Sequence, residues 1–329
     1  MRPGTAVRWR RRVGRWRRAA LATLVVGAVA YPLSGAARPE IPAPPPVALA
    51  APTADTLTDV YAANRANAAE AARMAEAYGD RHRAAADRGL AGPSRQLLTF
   101  DGRGEGLVTE VLGDLAHADR VAVLVPGSDT GLDTYGRFRA AALALHRQLV
   151  AEAPGGVRTA VVAWLGYETP GTVSTAVATT GRADEAAPRL RGLVDALRGV
   201  TGPGAEVALL CHSYGSVVCA RAADDLDVAD IALVGSPGTG ADSVAGLRTG
   251  ARVWAARGAD DWVENVPHLS ADLFGTTVGF GTDPVSPAFG ARVFDAGDGG
   301  HSDYFDPGSL SLTNLARIAL GETTEVTHD

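Results

Sequence analysis

Residues 207–219 read Val207-Ala208-Leu209-Leu210-Cys211-His212-Ser213-Tyr214-Gly215-Ser216-Val217-Val218-Cys219. The first five are apolar without alternation, the signature of a strand covered on both faces. After His212-Ser213-Tyr214-Gly215, the small and apolar spacing from Ser216 to Asp224 is that of a helix. A serine on a strand–turn–helix of this kind stands above the sheet edge with its hydroxyl exposed. The turn requires small residues two positions away on either side. Gly215 meets the requirement, and Cys211 stands where glycine is the usual residue.

Working outward, the same alternation continues in both directions. Leu97–Phe100 and Leu107–Leu112 flank a turn with Gly102 and Gly104, a hairpin pattern. Strands are expected at Val121–Val125, Thr159–Trp164, Ile231–Val234, Arg252–Ala256 and Ala291–Phe294. Helices are expected at Tyr135–Glu152, Asp184–Arg198 and Leu310–Leu320, with a weak one near Asp242–Leu247. Strands alternating with helices define an α/β protein, here a mostly parallel sheet of about eight strands with helices on both faces. Sites in such sheets lie at the carboxyl ends of the strands.

Serine attack on a carbonyl needs a base, a group that orients the base, and donors for the oxyanion. The chain order expected for an exposed-serine turn of this type is serine, acid, histidine. His301 follows the last strand in the glycine-rich loop Gly297-Asp298-Gly299-Gly300-His301-Ser302-Asp303-Tyr304, which can fold the ring back over Ser213. Asp261, after the strand Arg252–Ala256, is the preferred acid, with Asp260, Asp283, Asp295 and Asp298 as alternatives. The backbone N–H of Tyr214 and that of Ser128, in Val125-Pro126-Gly127-Ser128, are the expected oxyanion donors. Cys211 and Cys219 are too few for a disulfide framework and read as small buried thiols.

Several blocks in a fixed order resemble an actinobacterial α/β-hydrolase family of unknown function, DUF1023. They are Val123-Leu124-Val125-Pro126-Gly127, Trp164-Leu165-Gly166-Tyr167 with Pro170, His212-Ser213-Tyr214-Gly215-Ser216, Gly235-Ser236-Pro237-Gly238, Phe289-Gly290-Ala291 and His301-Ser302-Asp303-Tyr304. The similarity spans roughly residues 97–321. It implies the α/β-hydrolase fold and a Ser–Asp–His triad on Ser213, Asp261 and His301, and it implies no substrate.

The formal net charge is −6, but residues 1–37 hold eight arginines and no acid, leaving −14 on the remainder. An acidic body argues against nucleic acid as a partner. The arginines precede an uncharged run of 19 residues, Ala19 to Ala37. That pattern reads as a signal peptide or membrane anchor over 1–37, placing the rest outside the cytoplasm. A Pro/Ala-rich linker over 38–52, a helical segment over 53–92, an α/β domain over 93–321 and a tail over 322–329 complete the expected organisation. No metal-ligand spacing and no dinucleotide fingerprint is present, so neither metal nor cofactor is expected. The reading is an extracytoplasmic serine hydrolase acting on a small-molecule or lipid-like acyl ester, with membrane contact through the N-terminus. The alternatives are a non-catalytic cell-surface binding protein of the same fold and an acyltransferase using the same triad.

Overall fold

The computed structural model describes residues 41–328, apart from 173, 267–270 and 274–275. The expected targeting segment over 1–37 lies outside the described residues. Among the described residues, no helix is long and apolar enough to cross a membrane.

Two helices come first, α1 (Leu57–Tyr78) and α2 (Arg81–Leu90). They are separate because Gly79 takes a left-handed conformation (φ +97°) that ends α1, and Asp80 then caps α2 by accepting the Arg83 N–H at 2.9 Å. Ala68 and Ala71 of α1 and Leu90 of α2 share a core with Leu97, Phe100 and Val108 of the following hairpin, β1 (Gln96–Asp101) and β2 (Leu107–Gly113). The register of that hairpin shifts between Leu97 and Thr99, and the Asn64 amide of α1 donates to the carbonyls of both Leu97 and Leu98 there. Arg83, buried on α2, donates to the carbonyls of Gly102 and Gly104 in the hairpin turn and pairs with Asp133.

The rest alternates as the apolar runs require. β3 (Arg120–Val125) leads to α3 (Tyr135–Glu152), β4 (Thr159–Leu165) to α4 (Gly181–Thr201), and β5 (Glu206–His212) to α5 (Gly215–Ala222). β6 (Asp230–Val234), β7 (Arg252–Ala256), the short pair β8 (Ala271–Leu273) and β9 (Thr276–Val278), β10 (Arg292–Val293) and α6 (Leu310–Leu320) complete the order. The main sheet has eight strands in the order β1-β2-β4-β3-β5-β6-β7-β10, parallel from β4 onward. The weak helix expected near Asp242–Leu247 is a short 3-10 turn, Val244–Leu247. The hairpin β8–β9 is an addition to the expected elements.

Strand residues alternate between two cores. Val121, Val123, Leu209, Ile231 and Leu233 pack with α4 and α5, while Ala122, Leu124, Leu210, Ala232 and Val234 pack with α3 and α6. Both faces are apolar, which is why the strands read as continuous runs. The register sets Val125 beside Cys211, His212 beside Val234, and Val234 beside Ala256. The carboxyl ends of β3, β5, β6 and β7 therefore finish close to one level, and the loops that follow them meet there.

Candidate active site

Ser213 follows β5 with φ +55°, in the left-handed region that costs a non-glycine residue about 1 kcal/mol or more. The surroundings enforce it. The Ser213 N–H donates to the Val234 carbonyl at 2.9 Å, and the Ser216 N–H returns to the Ser213 carbonyl at 2.9 Å as α5 begins. A Cβ on Gly215 would lie 2.6 Å from the carbonyl oxygens of both Val125 and Pro126, so only glycine lets α5 start this close to β3.

Cys211 and Cys219 form a disulfide, which corrects the reading of two free thiols. The sharp turn at Ser213 folds α5 back over the end of β5 and brings the two Cα atoms to 6.5 Å. Both residues are fully buried. Cys211 fits the position usually held by glycine because its side chain is taken up under α5.

Asp261 and His301 converge on Ser213. His301 Nε2 lies 2.9 Å from Ser213 Oγ, and His301 Nδ1 lies 2.9 and 3.0 Å from the two Asp261 carboxylate oxygens. Asp261 is buried and caps a short 3-10 turn by accepting the Val263 N–H at 2.9 Å. Burial works against its charge, but hydrogen bonds from His301, Tyr304 and the Val263 N–H outweigh it and hold the carboxyl below its ordinary range. Of the alternative acids, Asp283 pairs with Arg257 at 2.7 Å, and neither Asp260, Asp295 nor Asp298 contacts the imidazole.

Three further side chains support this arrangement. Tyr304 donates to Asp261 Oδ2 at 2.5 Å and accepts the Gly258 N–H at 3.0 Å. His212 Nε2 donates to the His301 carbonyl at 2.7 Å. Burial, helped by repulsion from His301, lowers the His212 pKa to about 4. It is therefore a neutral donor at ordinary pH. Trp262, half-exposed, lies 4.7 Å from the His301 ring centroid. Gly235 makes room for Asp261, Tyr304 and His301: a Cβ there would sit 2.9 Å from Asp261 Oδ2 and from the Tyr304 ring and 3.2 Å from His301. In the sequence Gly235 and Tyr304 stand out only as members of the blocks that carry the family resemblance, with no role assigned to either. A tyrosine three residues after the histidine was the available signal.

Ser128 lies in the loop after β3, and the residue before it, Gly127, packs against Ser213. A Cβ on Gly127 would be 2.6 Å from Ser213 Cβ and 3.1 Å from its Oγ. The loop is pinned from the segment after β4. Tyr167 donates to the Pro126 carbonyl at 2.6 Å, the Asp129 N–H to the Pro170 carbonyl at 3.1 Å, and Thr130 and Thr169 exchange bonds of 3.0 and 2.9 Å. Tyr214 is anchored at its far end, where its hydroxyl donates to the Thr179 carbonyl at 2.7 Å, and burial raises its pKa to about 12. Among the described residues, the N–H groups of Ser128 and Tyr214 have no protein acceptor, which leaves both available for a ligand oxygen.

A cavity of about 950 Å³ opens over Ser213 and His301. Its walls include Leu124, Phe138, Ala141 and Phe305 on one side of the sheet edge and Tyr214 and Phe280 on the other. This volume suits a ligand of drug-like size.

A serine on a strained strand–helix turn, bonded to a histidine that is bonded to a buried aspartate over this sheet order, defines a class of protein. A family model described as Alpha/beta hydrolase matches residues 101–271, and the chain belongs to that family. Two curated relatives, uncharacterized proteins of Mycobacterium tuberculosis (Rv2079 in strain H37Rv and MT2140 in strain CDC 1551), are each 32% identical over 265 residues. The match takes in 70% of this chain, which spans only 39% of the length of those relatives. Among solved structures, esterase PE8 is 19% identical with a TM-score of 0.45, covering 66% of this chain and 99% of its own. An a/b serine hydrolase without lid from Xanthomonas campestris is 17% identical with a TM-score of 0.45, covering 70% and 95%.

Proposed function

We propose that this protein is a serine hydrolase of ester bonds, with Ser213 as nucleophile, His301 as general base and acid, and Asp261 as the group that orients His301. The observation that carries the reading is the unbroken series Ser213 Oγ to His301 Nε2 at 2.9 Å and His301 Nδ1 to Asp261 at 2.9 Å. His301 takes the hydroxyl proton as Ser213 Oγ bonds to the ester carbonyl carbon, and Asp261 stabilises the imidazolium so formed. The carbonyl oxygen, now an oxyanion, accepts from the Ser128 and Tyr214 N–H groups. Collapse expels the alcohol, which leaves with the proton from His301. Water then adds to the acyl-enzyme with His301 again as base, releasing the acid and restoring Ser213.

A fluorophosphonate probe tests the assignment. The folded protein is expected to label at Ser213, and Ser213→Ala to lose labelling together with at least about 10³-fold in ester turnover. Equal labelling of the variant would overturn it.

The narrower kinship with the actinobacterial family of unknown function and an extracytoplasmic location belong to the same proposal. The eight N-terminal arginines before a 19-residue uncharged run support export, with membrane contact through that segment. The Cys211–Cys219 disulfide supports an oxidising compartment. A C-terminal alkaline phosphatase fusion that is active in whole cells is the expected result, and an inactive, stably expressed fusion would refute export.

A further inference from the structure

We propose that Arg137 selects substrates carrying an anionic oxygen group, a carboxylate or a phosphate, beside the scissile ester. The inference rests on the hydrolase reading of Ser213 and adds a substrate class to it. Thr134, Arg137, Phe138 and Ala141 recur at intervals of three and four at the start of α3 and all line the cavity. One helix stripe therefore places an aromatic ring, a methyl group and the side chain of an exposed arginine on the cavity that holds Ser213. An apolar wall accepts hydrocarbon. A cation on that wall calls for a counter-charge, and the protein does not supply one: among the described residues Arg137 has no ion-pair or hydrogen-bond partner.

The place of Arg137 is what makes this informative, because Arg81 and Arg147, which also have no partner among the described residues, do not line the cavity. Arg83 pairs with Asp133, Arg252 with Asp230 and Arg257 with Asp283. The carboxylate among the described cavity residues, Asp129, is occupied elsewhere. It accepts the Thr172 N–H at 3.1 Å and the Thr172 hydroxyl. Arg137 is the only arginine among the described lining residues, and the chain has no lysine. A guanidinium fork matches a carboxylate or phosphate through two parallel N–H···O bonds. Beyond residue 37 the chain carries −14, so its long-range field repels anions. Any preference for an anionic substrate must then arise on contact, at Arg137.

The test compares p-nitrophenyl hemiglutarate and p-nitrophenyl 4-phosphonobutyrate with neutral p-nitrophenyl valerate, using the full chain. In Arg137→Gln the ratio of anionic to neutral kcat/KM is expected to fall about tenfold, the low end for a charge-assisted contact at an exposed arginine. Arg137→Glu should lower it further and Arg137→Lys should retain most of it. The larger drop identifies carboxylate or phosphate as the preferred group. A ratio within twofold of the parent for both anions would overturn the proposal. Binding of monoethyl glutarate to Ser213→Ala, with and without Arg137→Gln, gives a readout independent of turnover. A loss of fivefold or more supports the role of Arg137, and equal affinity refutes it. Failure of Ser213 to label with a fluorophosphonate counts against the hydrolase reading alone.

Discussion

Tyr304 donates its hydroxyl to Asp261 Oδ2 at 2.5 Å, and the same hydroxyl oxygen accepts the Gly258 N–H at 3.0 Å. The loop that carries His301 is thus tied to the loop that carries Asp261 by more than the imidazole itself. Tyr304→Phe removes one donor from the carboxylate and leaves the Gly258 N–H without its acceptor, at a cost of about 1–3 kcal/mol. The carboxyl of Asp261 is held low partly by that donor, so its contribution is present above its ordinary range and lost as pH falls. Without Tyr304 the loss begins at higher pH. Ester turnover by Tyr304→Phe is expected to fall about tenfold at pH 8 and by a larger factor at pH 5. Parallel pH profiles for the two proteins would refute this role.

Gly127 offers a test of the space over Ser213. Its backbone takes no special conformation, so Gly127→Ala leaves the loop unstrained in φ. The added methyl carbon falls 2.6 Å from Ser213 Cβ and 3.1 Å from Oγ. Something must move, and the nearest thing free to move is the serine or the loop bearing the Ser128 N–H. The expected result is a loss of about 10²-fold in turnover, the scale of one oxyanion donor, with the melting temperature lowered by a few degrees, since overpacking of this kind costs about 1–3 kcal/mol. Full activity in the variant would show that the loop is not held over Ser213 in solution.

The sheet was legible because its strands are buried on both faces. Runs such as Val121–Val125 and Leu209–Cys211 have no polar side, and long helices such as Tyr135–Glu152 have clear limits. The serine, aspartate and histidine that the structure brings together were legible from chain order and strand ends. What was not legible depends on contacts between distant segments. Tyr304 meets Gly258 and Asp261 across more than forty residues. The pair Cys211 and Cys219 becomes a disulfide only because the turn reverses the chain between them. β8 and β9, three residues each, are too short to show a period.

That disulfide closes a short loop across Ser213, from the end of β5 to the middle of α5. In the chain-entropy account a loop of this size contributes about 2.5 kcal/mol by restricting the unfolded chain. The double variant Cys211→Ala with Cys219→Ala is expected to melt roughly 5 °C lower. A thiol assay on the denatured parent should find no free thiol before reduction and two after. Two free thiols before reduction, in protein purified from an oxidising compartment, would refute the pairing.

Asp87 carries a pH dependence of the opposite sign to Asp261. It is buried on α2, and burial raises its pKa from 3.8 to about 7, with the nearby Arg83 charge opposing the shift and Asp133 and Asp80 adding to it. The folded state therefore binds this proton more tightly than the unfolded chain. Stability from this group is complete below pH 3.8 and is lost as pH rises from there to about 7. Asn imitates the protonated form without titrating. Asp87→Asn should accordingly melt a few degrees higher than the parent at pH 8, and the difference should shrink to nothing near pH 4. The comparison isolates Asp87, because the other titrating groups are common to both proteins. A variant that is less stable than the parent at pH 8 would mean that Arg83 needs the Asp87 charge, and that α2 is held to the β1–β2 turn by an ion pair rather than by burial of a neutral acid.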